Sequence, residues 1–385
     1  MSRGTVLVAM SGGVDSSVAA ALLRDSGYRV VGATLKLWCY GETAPSGRTC
    51  CSLDDIADAR RVAARLGIRH LVLDMEGDFE ARVVAPFVEA YLAGETPNPC
   101  VECNTHLKFG QLLAIADAAG AEHVATGHYA RRVDGPGGEA AIARARDRAK
   151  DQSYVLWGVP AAVVERMLLP VGEFEKREVR RLAAALGLDV AAKPDSQDIC
   201  FVQGGRYADF VRARAGGAVV PGPIVDAEGR VVGRHDGVIG FTVGQRRGLG
   251  VAAPAPQYVT AIEPATATVR IGPRAALAAG GLTLRRPNRQ RRRPLARGER
   301  LHVQVRAGAA AQPAIVAEPG GPEPGAPELV VRFDAPVDAV VPGQSAVLYD
   351  GDRLVAGGVI AAALPVTPPA PPAPPAPAFD LAAHP

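Results

Sequence analysis

A glycine- and serine-rich turn near the N-terminus carries residues whose types and spacing point to chemistry. The run Ser11-Gly12-Gly13-Val14-Asp15-Ser16 offers backbone N–H groups and hydroxyls that can surround an anion at the start of a helix. Asp15 adds a carboxylate that could hold a magnesium ion bridging phosphate groups. The spacing is not that of the Walker loop, which ends in Gly-Lys-Ser/Thr. The turn therefore predicts a nucleotide phosphate site of another kind.

Two further motifs contain cysteines that only the fold could bring together. Cys100 and Cys103 lie in a proline-stiffened loop before a helix predicted over 107–119. A helix N-terminus stabilises a thiolate, so we expect a lowered thiol pKa for Cys103. Cys200 lies far along the chain, in the run KPDSQDICF. Taken alone, a C-x-x-C pair and a single cysteine between apolar residues are weak signals, since both also fit buried structural cysteines.

Alternating strands and helices in the first half of the chain would position these motifs. Short apolar runs predict strands at 5–9, 29–38, 70–74 and 123–126. Helical apolar spacing follows at 18–23, 56–66, 79–91 (where Pro86 is an irregularity), 107–119 and 179–186. This alternation is typical of a parallel sheet covered by helices. Ligands bind such sheets at the carboxyl ends of the strands, where the first turn and Gly127-His128 would both lie.

The second half of the chain has a different pattern. Beyond about Gly204, short valine-rich runs between glycines and prolines replace the helical spacing. They predict a small antiparallel β domain over 205–278 and a β-barrel over 279–363, after an α/β domain over 1–204. Residues 364–385 are rich in Pro and Ala and cannot bury a core, so we expect a disordered tail.

Composition and charge limit the class of protein. A chain of 385 residues is too long for one ordinary core, which agrees with two or three domains. No apolar run reaches the length of a membrane span and no signal peptide is recognisable, so we expect a cytosolic protein without membrane contact. Six cysteines in such a protein favour catalysis, redox chemistry or metal binding over structural disulfides. Eight arginines over 285–300 fit either a polyanion partner or a solvated surface.

The first turn resembles the SGGxDS loop of the ATP pyrophosphatase (PP-loop) superfamily, whose members split ATP between its α and β phosphates. Six more segments resemble, in order, motifs of the tRNA-specific 2-thiouridylases (the MnmA/TrmU family). They are NPCVECNTHLKFG, ATGHYAR, KDQSYVLWGV, KPDSQDICF, FTVGQRRGLGV and PGQSAVLYDGDRLVAGGVI. The resemblance runs from residue 9 to about 360. It implies a PP-loop domain, a central β domain and a C-terminal β-barrel.

The resemblance implies that ATP is used to replace the C2 oxygen of the wobble uridine in tRNA by sulfur. Adenylation would turn that oxygen into a leaving group and release pyrophosphate. The residues that match the family's ATP contacts are Ala9, Met10, Ser11, Gly12, Gly13, Val14, Asp15, Ser16, Leu35 and Gly127. A methionine is common where Leu35 stands, and the change keeps an apolar wall. Asp15 would act through Mg²⁺.

The same resemblance assigns roles to the two distant cysteines. Cys200 would carry sulfur as a persulfide received from a donor protein, and Cys103 would be the nucleophile. In one route Cys103 attacks the persulfide and releases the sulfur. In the other the terminal sulfur attacks C2 directly and Cys103 resolves the product afterwards. Cys103 and Cys200 would form a disulfide in the course of the reaction.

The resemblance also implies contacts with tRNA. The matching residues are His128, Lys150, Asp151 and Gln152 near the base, and Arg306 and Gln344 on the barrel, while Arg246 and Arg247 would hold phosphates. The base must leave the anticodon stack to reach the pocket. Family members often carry Arg-Tyr where Arg306-Ala307 stands, so the contact that the tyrosine would make is absent here.

One departure from the family leaves a cofactor question open. Some members carry an aspartate where Cys100 stands, proposed as a general acid or base. Either that role is dispensable, or Cys100, Cys103 and Cys200 hold an iron–sulfur cluster, whose usual ligands are cysteine thiolates. Another PP-loop RNA thiolase or ligase is the alternative enzyme. A non-enzymatic RNA-binding module is a third hypothesis, which the intact loop and both cysteines oppose.

Overall fold

A five-stranded parallel sheet forms the first part of the fold. The computed structural model describes residues 3–37, 53–195, 199–202, 207–321 and 328–366. The sheet has the strand order β3-β2-β1-β4-β7, all parallel, and consists of β1 (Thr5–Ala9), β2 (Arg29–Lys36), β3 (Arg69–Asp74), β4 (His123–Ala125) and β7 (Met167–Leu168). The four predicted strands are present, and β7 adds an edge that the sequence pattern did not indicate.

Helices cover both faces of this sheet. The helices of this part of the fold are α1 (Val14–Asp25), α2 (Leu53–Leu66), α3 (Glu76–Phe79), α4 (Ala85–Leu92), α5 (Pro99–Glu102), α6 (Leu112–Ala118), α7 (Ala161–Val164), α8 (Lys176–Ala185) and α9 (Tyr207–Arg214). The last of them packs on α4 rather than on the sheet. Side chains of β1 alternate between two cores, because Val6 and Val8 pack on one face and Leu7 packs on the other. Both faces are therefore dry, which explains the continuous apolar run at 5–9.

Two helical segments contain π turns. Glu80–Val84 is π-helical and joins α3 to α4, immediately before Pro86. Proline has no N–H to donate to the preceding turn, which accounts for the irregularity expected there. Cys103–Gln111 is also π-helical and joins α5 to α6. Residues 76–92 and 99–118 are thus two continuous helices, and we call the second the cysteine helix.

The cysteine helix starts earlier than predicted. The apolar spacing predicts a start near Leu107, with both cysteines in the preceding loop, and this prediction is wrong. The helix begins at Pro99, where the side chain of Asn98 accepts a hydrogen bond of 3.2 Å from the N–H of Cys100. Asparagine at the N-cap followed by proline is a favoured helix start. Cys103 therefore lies one turn inside the helix rather than at its first residue.

The central β domain is a mixed sheet. Its strands are β8 (Gly222–Val225), β9 (Val231–His235), β10 (Tyr258–Glu263) and β11 (Thr268–Gly272), in the order β10-β11-β8-β9. The expectation of a purely antiparallel domain is wrong, because β11 and β8 pair in parallel. A parallel pair needs a long crossover, and the chain from β9 to β10 supplies part of it. Ile224, Val259 and Val269 form the core between these strands.

The C-terminal domain is a closed barrel. Its six strands are β12 (Ala278–Arg289), β13 (Arg300–Gln304), β14 (Gln312–Pro319), β15 (Leu329–Asp338), β16 (Ser345–Asp350) and β17 (Arg353–Leu364). Pairing of β12 with β17 closes the sheet. Leu364, which the sequence analysis assigned to the tail, is the last residue of β17, and residues 367–385 lie outside the described part of the chain. The predicted order of an α/β domain, a small β domain and a barrel is confirmed.

A hairpin from the first domain joins the barrel sheet. Strands β5 (Ala130–Asp134) and β6 (Ala140–Arg144) extend the barrel, with Arg353 opposite Ala143. The N–H of Arg144 donates to the carbonyl of Asp352 over 3.0 Å, and the Asp352 carboxylate pairs with Arg131 over 3.0 Å. The first domain and the barrel are therefore one hydrogen-bonded unit. In the described residues no helix is long and apolar enough to cross a bilayer.

A close approach between these domains can be tested at Gly357. A Cβ there would lie 2.5 Å from Cβ of Trp157, whose indole N–H donates to Oγ of Ser345 over 2.9 Å. Gly357→Ala should lower the free energy of unfolding by about 1–3 kcal/mol, because the buried indole must move. Urea denaturation measures this loss. Gly240→Ala, where a Cβ meets no atom within 4 Å, is the matched control, and equal stability of the two variants would contradict the packing argument.

Candidate active site

The turn between β1 and α1 is shaped to receive an anion. Gly13 is the N-cap of α1, and no side chain of the described residues caps it. The N–H groups of the first helical turn can therefore face a ligand. The turn is closed by its own hydroxyls, since Oγ of Ser16 accepts from the N–H of Ser11 over 3.2 Å and Oγ of Ser17 donates to the carbonyl of Gly13 over 2.8 Å. The anion site is thus formed before a ligand arrives.

Two glycines allow other segments to approach this turn. Gly12 has a φ of +71°, and a Cβ there would lie 2.2 Å from the carbonyl oxygen of Asp55 in α2. A Cβ at Gly127, just after β4, would lie 2.5 Å from the N–H nitrogen of Ser16. The structure therefore places Gly127 against the turn, at the same edge of the sheet. Met10 and Leu35 are buried beside it.

The carboxylate of Asp15 is held by two donors. The ammonium of Lys176 donates to its two oxygens over 2.8 and 2.7 Å, and the hydroxyl of Tyr129 donates over 2.9 Å. Burial, followed by the negative charge of Asp15, raises the pKa of Tyr129. The phenol therefore stays protonated and remains a donor.

Asp195 connects this arrangement to the second cysteine motif. Its carboxylate pairs with Lys176 over 2.8 Å, with Lys150 over 2.9 Å and with Arg180 over 2.9 Å. Burial alone would raise the pKa of Asp195, but hydrogen bonds from Lys176 and Lys150 outweigh it and lower the pKa to about 2. The carboxylate is therefore charged at any physiological pH.

Lys193, two residues earlier, is bound to the turn directly. Its ammonium donates to the carbonyl of Gly12 over 3.1 Å, to Asp55 over 2.6 Å and to Asp58 over 2.5 Å. Burial alone would lower the pKa of Lys193, but the hydrogen bonds and charges of Asp55 and Asp58 outweigh it, so the pKa is raised. Lys193 and Asp195 together fix the start of the KPDSQDICF motif against the anion site.

The two cysteines of interest pack into one hydrophobic core. Cys103 is 7% exposed and belongs to the same cluster against which Cys200 packs. Phe201 anchors its neighbour Cys200 there, with its ring centroid 5.5 Å from that of Phe79 and 5.1 Å from that of Phe87. The fold therefore brings both cysteine motifs to the helical layer on one face of the sheet. Cys100 is exposed.

The described residues include all three of these cysteines but contain no group of three Cys, His, Asp or Glu side chains placed to hold a metal ion. The arrangement expected for an iron–sulfur cluster on Cys100, Cys103 and Cys200 is thus not formed. A magnesium site makes a smaller demand, since this ion often takes one protein carboxylate and completes its shell with phosphates and water. Asp15 fits that role. Cys50 and Cys51 lie outside the described residues.

The barrel contacts the cysteine helix and the segment before it through paired charges. Arg285 binds Glu95 through two hydrogen bonds of 2.7 and 2.5 Å, and Arg286 binds Glu102 over 2.8 Å. Burial alone would raise the pKa of Glu102, but a hydrogen bond from His106 and the charge of Arg286 outweigh it and lower the pKa. A cavity of about 510 Å³ lies between these pairs and Trp157, separate from the anion site.

Most of the arginine-rich stretch is neutralised in the same way. Besides the two pairs above, Arg291 and Arg293 bind Glu299, Arg297 binds Glu318, and Arg300 binds Asp334. The cluster of arginines that suggested a polyanion partner is therefore largely paired with carboxylates of the barrel and of the first domain.

His128 is buried in a neutral environment. Its Nδ1 shares a hydrogen bond of 2.7 Å with Oγ1 of Thr126, and its ring lies 6.0 Å from that of Phe109. Burial, assisted by the positive charge of Lys108, lowers its pKa from 6.5 to about 3. An uncharged imidazole recognises a base or hydroxyl rather than a phosphate charge.

Three consecutive residues expected at the tRNA base have protein partners. Lys150 binds Asp195, Asp151 binds Arg144 over 3.0 Å, and Oε1 of Gln152 accepts from the N–H of Tyr129 over 2.9 Å. On the barrel, Nε2 of Gln344 donates to the carbonyl of Thr96 over 2.9 Å, whereas Arg306 is exposed between β13 and β14. These positions remain predictions as tRNA contacts.

Two residues at the site were not found from the sequence. Lys176 and Tyr129 contact Asp15 from distant segments. Tyr129 lies inside the quoted motif ATGHYAR, so the motif was a usable signal. Lys176 lies in the segment EKREVR, whose pattern is typical of an ordinary charged helix start. Its contact with Asp15 is visible only in the folded structure.

The fold and the anion site define a nucleotide-using α/β enzyme domain followed by two β domains. Residues 4–204 match the tRNA methyl transferase HUP domain, 208–273 the tRNA methyl transferase PRC-barrel domain and 280–360 the aminomethyltransferase beta-barrel domain. Curated relatives named tRNA-specific 2-thiouridylase MnmA are 49% identical in Sorangium cellulosum (94% of each chain) and 49% in Rhodospirillum centenum (93% and 92%). The chain belongs to the tRNA-specific 2-thiouridylase family.

Because buried His128 is uncharged in the folded protein, the free energy of unfolding should depend on pH. The pKa of this histidine is lower in the folded protein than in the unfolded chain, so the unfolded chain takes up a proton first as the pH falls. Stability from this residue is complete above pH 6.5 and declines below it. Between pH 7.5 and 5.5 the wild type should lose about 1 kcal/mol of unfolding free energy relative to His128→Asn.

Urea denaturation of both proteins at both pH values provides the comparison. His70 and His235 also have pKa values lowered by burial, but both proteins contain them, so their effects cancel. A difference between the proteins that does not change with pH would contradict a neutral buried His128.

Proposed function

We propose that this protein thiolates C2 of the wobble uridine of tRNA by adenylation of the C2 oxygen and sulfur transfer from Cys200. Its family membership makes it a tRNA-uridine 2-sulfurtransferase. The description of the matching domains as a methyl transferase does not alter this, since the named relatives match over nearly the whole chain. The mechanism rests on one observation. Lys193 binds the turn between β1 and α1, which we call the ATP turn, and Asp195 is linked to Asp15 of that turn through Lys176, so both residues hold the Cys200 motif beside it.

ATP binds with its phosphates at the first turn of α1. The C2 oxygen attacks the α phosphorus, the bond to the bridging oxygen breaks, and pyrophosphate leaves with that electron pair. The helix N-terminus and the hydroxyls of Ser11 and Ser16 surround the phosphate oxygens. When bound at Asp15, magnesium neutralises phosphate charge. Ala9 and Leu35, which pack on the same face of the sheet, form the adenine side of the site, whereas the side chain of Met10 packs on the other face and leaves its backbone to contact the nucleotide.

Sulfur reaches the activated base through the two cysteine motifs. In one order, the Cys103 thiolate attacks Sγ of the Cys200 persulfide and releases HS⁻, which displaces AMP from C2. In the other, the terminal persulfide sulfur displaces AMP, and Cys103 then attacks Sγ of Cys200. Both orders give 2-thiouridine, AMP and a Cys103–Cys200 disulfide, which an external thiol must reduce. The shared hydrophobic core supports either order, since buried Cys103 and partly buried Cys200 pack against the same cluster.

The partners follow from the same chemistry. A persulfide-carrying donor protein supplies sulfur to Cys200, and a single-stranded anticodon loop presents the base. His128 reads the base as a neutral imidazole, while Lys150, Asp151, Gln152, Gln344 and Arg306 lie along the RNA path. Exposed Arg246 and Arg247 face phosphates. Location in the cytosol stays a prediction.

Two cysteine variants separate sulfur transfer from adenylation. Cys103→Ser and Cys200→Ser should each lower 2-thiouridine formation at least about 100-fold, because the attacking thiolate or the sulfur carrier is lost. ATP–pyrophosphate exchange in the presence of unmodified tRNA should persist, because adenylation precedes sulfur transfer. Thiolation is measured by nucleoside analysis after incubation with ATP, a persulfide source and tRNA.

Cys100→Asp is the matched control in the cysteine helix. Since some family members carry aspartate there, this variant should thiolate at close to the wild-type rate. Wild-type thiolation by Cys200→Ser would overturn the persulfide role of Cys200, and loss of exchange in Cys103→Ser would show that the helix itself is disturbed.

A further inference from the structure

A largely buried ammonium group lies against Asp15, the carboxylate of the turn between β1 and α1. Lys176 is the first residue of α8, its side chain is 12% exposed, and its Nζ donates to Oδ1 and Oδ2 of Asp15 and to Oδ1 of Asp195. An ammonium has three N–H donors, so these three contacts use all of them. Lys176 is therefore fully engaged at the position where phosphate oxygens would enter.

The backbone holds this lysine in place. Its N–H donates to Asp147 over 3.0 Å, and Glu175 and Glu178 form a capping box around the helix start. Such a box satisfies the free N–H groups of the first turn and fixes the entry angle of the helix. The ammonium is thus delivered to Asp15 from a rigid support rather than from a mobile surface side chain.

The local charges allow Lys176 to approach an incoming anion. Asp195 binds Lys150 and Arg180 as well as Lys176, so it keeps two cations if Lys176 turns away. Asp15 keeps the hydroxyl of Tyr129. With Asp147, which accepts from the N–H of Lys176, three carboxylates balance the three cations. Lys176 can therefore turn toward an anion at the uncapped N-terminus of α1 without leaving Asp15 or Asp195 unpaired.

We propose that Lys176 is a phosphate ligand of ATP, which exchanges part of its contact with Asp15 for a phosphate oxygen. The proposal deepens the function proposed above and rests on it. As the bond from the α phosphorus to the bridging oxygen breaks, the electron pair moves onto pyrophosphate. The ammonium stabilises that charge without transferring a proton. In the absence of nucleotide, Asp15 and Asp195 keep it in position.

A pair of adjacent variants tests this assignment in the full-length protein. Lys176→Met removes the charge but keeps the stem, and Arg177→Met changes an exposed neighbour in the same helical turn. Isothermal titration gives the affinities for ATP, with magnesium present, and for adenosine. Lys176→Met should weaken ATP binding about 30-fold and leave adenosine binding within about threefold, because a charge-assisted hydrogen bond to phosphate is lost. Arg177→Met should change neither affinity.

The outcomes separate a phosphate ligand from a structural lysine. Equal weakening of ATP and adenosine binding, or no weakening of ATP binding, overturns the proposal for Lys176 while leaving adenylation intact. A wild type that does not bind ATP more tightly than adenosine overturns both proposals. If Lys176→Met fails to fold, Lys176→Arg replaces it. It should keep adenosine binding and bind ATP more weakly than the wild type, since the larger guanidinium does not fit between Asp15 and Asp195; unchanged ATP binding would contradict the assignment.

Discussion

The site depends on carboxylates and ammonium groups that connect segments far apart in the chain. Asp15 stands near the N-terminus, Lys176 begins a late helix of the first domain, and Asp195 begins the second cysteine motif. Each charge is partly buried and therefore costs desolvation free energy unless it is paired. The pairs determine where these segments lie relative to one another, because any other arrangement would leave a buried charge without a partner. The ATP turn and the Cys200 motif are adjacent for this reason.

The barrel adds a second set of constraints on the opposite side of the cysteine helix. Arg285 and Arg286 hold the helix start through Glu95 and Glu102, and Gln344 binds the carbonyl of Thr96. A domain assigned to RNA binding by resemblance therefore also positions the cysteine helix. Because most arginines of residues 285–300 are already paired with carboxylates, they could bind a polyanion only by giving up these partners.

Much of the fold could be predicted because burial follows the apolar pattern directly. The strand at 5–9 and the apolar face of α2 are where the spacing placed them. The start of the cysteine helix was missed because prolines in Asn98-Pro99-Cys100 also suit a rigid loop. The β5–β6 hairpin was missed because its arginines interrupt the alternation of apolar residues. Lys176 could not be found, since its role depends on a contact with a residue 161 positions away.

The shared edge between β6 and β17 has a consequence for the order of events during translation. The hairpin is made early by the ribosome, but the strand that pairs with it follows only after the whole central domain and most of the barrel. Until then β6 presents unpaired backbone groups, which invite association with other nascent chains. An expression fragment cut after the first domain would carry the same open edge permanently. Family boundaries drawn along the chain are therefore poor guides to where this polypeptide can be divided.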